Sequence, residues 1–550
     1  MIRLRLPIPA PSVGMRIHNA MLRLSNLNVP LDYTEGSLRM LLLHRLKLSS
    51  DELLGFSVSR RSIDARDKGD IHFVLGIDLR VKNEASVLRK NKTLTSLPEP
   101  VQSARPECRF TVPPLIVGAG PAGLFAALTL ARAGAKPVLI ERGKCVEERT
   151  ADVAAMAESG ILSEDSNVQF GEGGAGAFSD GKLTCGIKSP LLNDVLKIFV
   201  EHGAPEDILI DQKPHIGTDR LKGVVASIRN EIIQCGGTVC FETRLEDLII
   251  RNGHIQGAVV SHAGQQREIL TDCVLLCIGH SARDTVRHLF ADGIRMIQKP
   301  FAIGVRIEHP RSLIDQAQYG VRRNLPVLGA ASYKLCCHTP DGRGVYTFCM
   351  CPGGYVIAAA SEEDGVVTNG MSYHARDGIN SNAALLVGIR TEDFGDSHPL
   401  AGFELQRRIE QAAFRTGGGQ YRAPAQRVED FLSDRASRSF GEVEPSYRPG
   451  VTSCDLRSVL PGFVTDNLKA GIRAMDRQLK GFAMPDAVLT GPETRSSSPV
   501  RIMRGGNGLA EELDGLFPVG EGAGYAGGIV SAAVDGISAA LKAMERSTQI

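Results

Sequence analysis

The sequence predicts an α/β protein, and three observations carry the prediction. An apolar strand, Leu115-Ile116-Val117, runs into Gly118-Ala119-Gly120-Pro121-Ala122-Gly123, an Ala-rich helix over 121–134 and a strand over 137–141. A second strand, Gly-rich turn and helix occupy 516–544. Between them lie short apolar strands at 238–242, 247–250, 256–260 and 273–278, then a separate set at 301–307, 345–349 and 354–360 with an amphipathic helix near 464–478. The pattern is that of a Rossmann-like domain in two parts, 113–295 and 485–550, with a second domain inserted over 296–484.

Composition bounds the function. The 550 residues exceed one ordinary domain. Lys plus Arg (63) balance Asp plus Glu (62), which argues against a chain built for nucleic acid or anionic membrane. No apolar run reaches bilayer length; the richest, Ala122 to Ala135, is interrupted by Arg132. The 12 cysteines lack a disulfide-framework spacing, so a reducing, cytoplasmic setting is expected.

In chain order, residues 1–20 are basic, without acids, and carry Pro7, Pro9 and Pro11. They read as a disordered extension, as an upstream start with translation beginning at Met21, or as an organelle-targeting segment. Residues 21–90 read as a small α+β unit, ferredoxin-like in its economy: a strand over 22–28, a helix from Thr34 to Leu46 with Thr34 as N-cap, and apolar runs at 53–59 and 71–80. The Pro-containing stretch 91–112 reads as a linker.

The first glycine motif has a physical rationale at each position. Gly118 permits the tight turn, Gly120 lets the backbone approach a pyrophosphate, and Gly123 lets the helix pack against the strand. Pro121 and Ala122 open a helix whose N-terminal amides and partial positive charge suit a diphosphate. The next strand ends in Glu141, where a carboxylate binds ribose hydroxyls and repels a 2′-phosphate. NADP is thereby disfavoured, while FAD and NAD stay open. Arg149 either partners the pyrophosphate or is a solvated helix arginine.

Further pieces carry a resemblance: Arg61-Ser62-Ile63-Asp64-Ala65-Arg66; Glu141-Arg142-Gly143; the run from Phe170 through Gly171-Glu172-Gly173-Gly174-Ala175-Gly176 to Lys182-Leu183; Lys213-Pro214-His215-Ile216-Gly217-Thr218-Asp219; Phe348-Cys349-Met350-Cys351-Pro352-Gly353-Gly354; and Glu493-Thr494-Arg495-Ser496-Ser497-Ser498-Pro499-Val500-Arg501. With these, the chain from Met21 onward resembles a bacterial-type, largely uncharacterised family of FAD-dependent dehydrogenases. Its flavin domain is related to the glutathione-reductase-like flavoproteins. The resemblance implies FAD and oxidoreductase chemistry. It implies that the strand ending in Gly520-Glu521 binds the ribityl chain, with Glu521 standing where Asp is usual. The helix opening at Gly528-Ile529 would face the flavin pyrimidine edge, and Ser496 replaces the usual Thr. The backbone of Gly173, Gly174, Ala175 and Gly176 would run beside the isoalloxazine. Arg142 and Gly279 would lie by the dinucleotide, and the Thr243-Arg244-Leu245 edge by the adenine.

No catalytic residue is specified. Lys182, His215 and Cys349 are the candidates, with Glu172 a further proton-transfer group. Cys349 and Cys351 fall on one face of a strand, as a strained redox pair or as two buried thiols. His215 and Asp219 act on substrate or serve structure, and Arg495 and Arg501 clamp an anion or anchor a domain interface. No metal site is expected. The leading function is hydride transfer between a small-molecule substrate and FAD. NAD(P)H would serve as a transient donor, since no second strand–GxGxxG–helix unit is present. The competing readings are a flavoprotein acting on RNA or another macromolecule, and a non-catalytic FAD-binding partner.

Overall fold

The computed structural model of the protein describes residues 22–97 and 107–549. The expected extension over 1–20, the start at Met21 and part of the 91–112 linker lie outside the described residues. The chain forms two compact units. The first holds the N-terminal region with two segments from later in the chain, Pro205–Pro214 and Gln318–Ala331.

In the first unit β1 (Leu22–Val29), α1 (Glu35–Leu46), β2 (Leu53–Asp64), β3 (His72–Val81), α2 (Glu84–Lys90) and β4 (Leu94–Ser96) form a βαββαβ unit. Its sheet is antiparallel throughout, in the order β2-β3-β1-β4. Thr34 caps α1 as expected: its hydroxyl accepts from the Ser37 amide at 3.1 Å. The helix turns Leu38, Leu42 and Leu46 onto a core with Leu22, Leu24, Ile77 and Leu79. Arg61 of β2 holds the 205–214 segment through the Asp211 carboxylate at 2.7 Å and through backbone bonds to Ile210 and Gln212.

In the second unit β5 (Leu115–Val117) leads through α3 (Pro121–Arg132) to β6 (Val138–Ile140). There follow α4 (Val146–Ser159), α5 (Leu192–Glu201), α6 (Thr218–Gln234) and β7 (Thr238–Cys240). The strands β8 (Thr243–Arg251), β9 (His254–His262) and β10 (Gln265–Leu270) form an antiparallel meander. Then come β11 (Val274–Leu276) and α7 (Arg283–Ala291). Short β12 (Met296–Gln298) pairs with a late strand, Val500–Ile502.

The second domain is a seven-stranded sheet. Its strands are β13 (Phe301–Pro310), β14 (Cys336–His338), β15 (Gly344–Cys351), β18 (Asn380–Ile389), β19 (Ala423–Arg427), β20 (Val451–Ser453) and β21 (Val488–Glu493), in the order β14-β15-β18-β13-β21-β19-β20. The same stretch of chain also forms a ribbon of β16 (Tyr355–Ala358) and β17 (Thr368–Met371) and the helices α8 (Arg311–Tyr319), α9 (Ala401–Gly417), α10 (Val428–Leu432) and α11 (Gly462–Gln478). The strand β21 lies past the boundary expected at 484. It is buried along its whole length and pairs with both β13 and β19, so it belongs to the inserted sheet.

The chain returns to the first domain with β22 (Val500–Ile502), β23 (Leu516–Pro518) and α12 (Ile529–Ser547). There β23, β11, β5, β6 and β7 form one parallel sheet in that order. The triplets Leu-Ile-Val of β5, Val-Leu-Leu of β11 and Leu-Phe-Pro of β23 are wholly buried, as a sheet covered on both faces requires. Helices α3 and α12 pack closely because Gly536 lies against the Ala122 carbonyl; a Cβ there would sit 2.1 Å from that oxygen. No described helix is long and apolar enough to cross a membrane.

Candidate cofactor and active site

The carboxyl ends of β5, β11 and β23 place three turns together, the position at which open parallel sheets bind ligands. Gly118 has φ +102° and lies on the Cys277 carbonyl, where a Cβ would come within 2.5 Å. Gly123 lies on the Gly118 carbonyl at a Cβ distance of 1.8 Å. The fold itself therefore demands both glycines. Gly120 differs: its φ is −72°, and a Cβ would find nothing nearer than the Gly174 Cα at 3.9 Å. The fold leaves that space open, and a diphosphate above the turn would need it. Helix α3 has no side-chain cap and no acid in its first turn, and α12 is the same after Gly528. Both N-termini suit an anion or an electron-rich ring.

The two glycine motifs meet. A Cβ on Gly520 would stand 3.0 Å from that of Ala122, and one on Gly522 would stand 2.2 Å from the Gly279 carbonyl. Gly174 lies on Gly120 and Pro121, and Gly176 on Ile529. The loop containing Gly173, Gly174, Ala175 and Gly176 thus touches both helix openings.

Glu141 accepts from the amides of Ala119 (2.7 Å), Gly143 (3.0 Å) and Gly171 (2.9 Å). A carboxylate has about four acceptor sites, so one is left for a ribose hydroxyl. Arg142 pairs with Asp165 and Asp284 and stacks over Phe170. The Leu245 side chain is in the hydrophobic core, which leaves the backbone of edge strand β8 as its means of contact. Glu521 is half-buried; burial pushes its carboxyl up to about 7, against the opposing pull of Lys299.

Arg149 is not a solvated helix arginine. It is fully buried and donates to the carbonyls of Asn167 (2.7 Å), Val168 (2.9 Å), Gly171 (3.3 Å) and Glu172 (2.6 Å). It braces the start of the glycine loop. Glu172, also fully buried, accepts from the Val146 amide and from Arg229, both at 2.8 Å, and its Oε1 has no hydrogen-bond partner. Burial pushes this carboxyl up to about 7.

The same loop continues into a buried polar layer. Asp180 takes two bonds from Arg376 (3.0 and 2.5 Å), one from the Ser372 hydroxyl and an ion pair from Lys182 at 2.9 Å. Burial alone would raise the Asp180 carboxyl, but Lys182 and Arg376 outweigh it and hold it well below the usual range. The Lys182 ammonium also donates to the Met350 carbonyl. Arg306, wholly buried, joins Glu493 (3.1 Å), Asn382 (3.0 Å), the Cys349 carbonyl (2.9 Å) and the Cys351 sulfur (3.6 Å). Glu493 is pushed up to about 7 by burial, partly offset by Arg306. His215 stacks on His374 with ring centroids 5.1 Å apart, and burial lowers it to about 4.

Thus Lys182 and Cys349 share this layer and His215 borders it, Nε2 on the His374 carbonyl at 3.2 Å. Asp219 serves structure, accepting from the His374 amide at 2.7 Å. Cys349 and Cys351 do not sit on a regular strand face, because β15 is irregular there. Arg495 is an anchor: it and Arg283 share the buried Glu410 carboxylate at 2.8–3.1 Å. Arg501 lies over the Tyr525 ring. Among the described residues one group, half-buried Asp247 with exposed His288 and Asp292, has metal-compatible spacing. Sequence reasoning missed Arg376, Arg306 and Glu410. Arg306 and Glu308 within an otherwise apolar strand were the available signal.

Known proteins decide the family. Residues 111–152 match the model of an FAD binding domain, and 300–496 match that of an FAD-dependent protein, C-terminal domain-like. An uncharacterized protein of Clostridium beijerinckii is 46% identical over 532 residues, covering 96% of this chain and 99% of that one. The chain belongs to a family of FAD-dependent proteins. FAD is its cofactor. Residues 21–80 match a domain of unknown function. Among solved structures, a geranylgeranyl bacteriochlorophyll reductase-like protein of Thermoplasma acidophilum is 13% identical with a TM-score of 0.36, covering 79% of each chain. The 3-ketosteroid-delta4-(5alpha)-dehydrogenase of Rhodococcus jostii is 13% identical with a TM-score of 0.34, covering 81% of this chain and 99% of that one. Likenesses this distant carry no argument about activity.

Proposed function

We propose that the protein is an FAD-dependent dehydrogenase with a glutathione-reductase-type flavin domain, whose inserted sheet holds a small-molecule substrate over the flavin. The observation that carries the reading is the meeting of the two glycine turns, Gly520 against Ala122 and Gly522 against Gly279. In this reading the 118–123 turn and the start of α3 hold the diphosphate, Glu141 a ribose hydroxyl, and Gly279 with the β8 backbone the adenosine side. Gly520, Glu521, Gly528 and Ile529 face the ribityl and pyrimidine end, with Gly173–Gly176 alongside. FAD supplies two-electron hydride chemistry. The chain positions and polarises. Glu521, near its midpoint at neutral pH, can donate to a hydroxyl as well as accept from one. Glu493 can give or take a proton near pH 7. Lys182 and Arg306 keep positive charge at the layer where the substrate would sit.

The division into 113–295, the inserted sheet and the final FAD segment supports this arrangement, as does a ferredoxin-like appended unit with βαββαβ order. NAD(P)H would act as a transient donor. The purified protein is expected to be yellow, and its flavin absorbance to bleach anaerobically with NADH or NADPH. A folded protein that is colourless and refuses added FAD would overturn the flavin reading. An unbleached spectrum with both donors would remove the nicotinamide step alone.

A further inference from the structure

The strand β15 departs from regular pairing at its two cysteines. Phe348 faces Ala384 and Cys351 faces Asn382, so three steps on β15 match two on β18 and one residue is extra. Cys349 takes up the distortion with φ +39°, a left-handed conformation uncommon for any residue with a side chain. In a straight strand the Cα atoms of residues i and i+2 are about 6.6 Å apart, at the outer edge of disulfide reach. The Cys351 sulfur already turns back to within 3.3 Å of the Cys349 carbonyl oxygen.

The surroundings distinguish the two thiols. Cys351 is fully buried, whereas Cys349 is partly exposed. Arg306 reaches the Cys349 carbonyl at 2.9 Å and the Cys351 sulfur at 3.6 Å. Lys182 binds the carbonyl of Met350, the residue between them. The Cys351 thiol, with these two cations behind it, holds the Cys349 thiol below the ordinary thiol range, while its neighbour and burial raise Cys351. An accessible low-pKa thiol beside a resolving thiol is the arrangement that thiol–disulfide exchange requires.

We propose that Cys349 and Cys351 form a redox-active dithiol, with Cys349 the attacking and Cys351 the resolving thiol, that exchanges with low-molecular-weight disulfides. The Cys349 thiolate attacks one sulfur of the small disulfide; that S–S bond breaks and half the molecule leaves as a thiolate. Cys351 then gives up its proton to that thiolate and attacks the Cys349 sulfur, releasing the second half, which takes a proton from solvent. Two protein thiols are oxidised to one disulfide and the small disulfide is reduced to two thiols. The proposal does not depend on the flavin reading.

The test uses the full-length protein as purified, reduced, freed of reductant and treated with oxidised glutathione. Trapped thiols are then mapped on the tryptic peptide 344–376, whose only cysteines are these two. The peptide should become two hydrogens lighter, with two glutathione thiols released. Cys351→Ser should stop at one glutathione on Cys349. At pH 6, Cys349 should alkylate roughly tenfold faster than exposed Cys336, and Lys182→Met should slow it. Should Lys182→Met not fold, the wild-type pH profile of alkylation answers the same question. Two free thiols at 349 and 351 under conditions that glutathionylate Cys336 would overturn the proposal. So would a Cys349 profile no more acidic than that of Cys336, or Cys351 reacting undiminished in Cys349→Ser.

Discussion

Gly118, Gly120 and Gly123 belong to one motif but answer to different constraints. Gly118 and Gly123 touch the protein's own backbone, so a side chain at either breaks the turn. Gly120 has open space, and its side chain is excluded only by what binds there. Gly120→Val should therefore fold normally and lose FAD, whereas Gly123→Val should misfold; circular dichroism and flavin absorbance separate the two. FAD retained at full stoichiometry by folded Gly120→Val would show that the diphosphate lies elsewhere. Glu172 makes a second residue-scale prediction. Its folded pKa, about 7, lies above an unfolded value of about 4.3, so the native state binds more protons between the two. Stability from this group is present below the window and lost as pH rises through it. Glu172→Gln should remove that slope, the wild type losing up to about 3 kcal/mol relative to the variant between pH 4.5 and 7.5 in urea melts.

Helices α7 and α9 are joined by a buried charge cluster in which Glu410 serves both Arg283 and Arg495. Truncating the shared partner strands two guanidinium groups out of water, which costs about 3–5 kcal/mol. Glu410→Ala should lower the urea midpoint accordingly and raise hydrogen exchange in both helices; unchanged exchange would show that the cluster does not join them. The local patterns were readable from sequence. Thr34 caps α1, the 118–123 turn sits between β5 and α3, and α12 follows the second turn, because each is decided within a few residues. The charge clusters were not readable. Asp180 and Arg376 stand 196 residues apart and Arg283 and Glu410 stand 127 apart, and nothing near either residue names its partner. For the same reason the sequence leaves Arg149 open between a pyrophosphate partner and a solvated helix arginine, its four carbonyls belonging to a loop closed by tertiary packing. The bulge at Cys349 follows from pairing with β18, a strand that no alternation of polar and apolar residues announces.

On the scale of the molecule, the parallel sheet is assembled from both sides of the inserted domain, β5 and β11 before it and β23 after it. FAD binding to this composite should stabilise the whole second unit by mass action, about 2.7 kcal/mol at a free FAD concentration 100-fold above Kd. The urea midpoint should rise with FAD in the wild type and stay flat in Gly120→Val. A midpoint insensitive to FAD in both would mean that the ligand does not bridge the two halves.

That composite sheet also sets the order of events during synthesis. A ribosome reaches β23 and α12 only after completing the seven-stranded sheet, so a chain halted anywhere inside it has β5, α3 and β11 but half a cradle. In the proposed arrangement, flavin capture would therefore report that translation has passed residue 529, and a yellow colour in the nascent pool would mark chains whose inserted sheet has already been made.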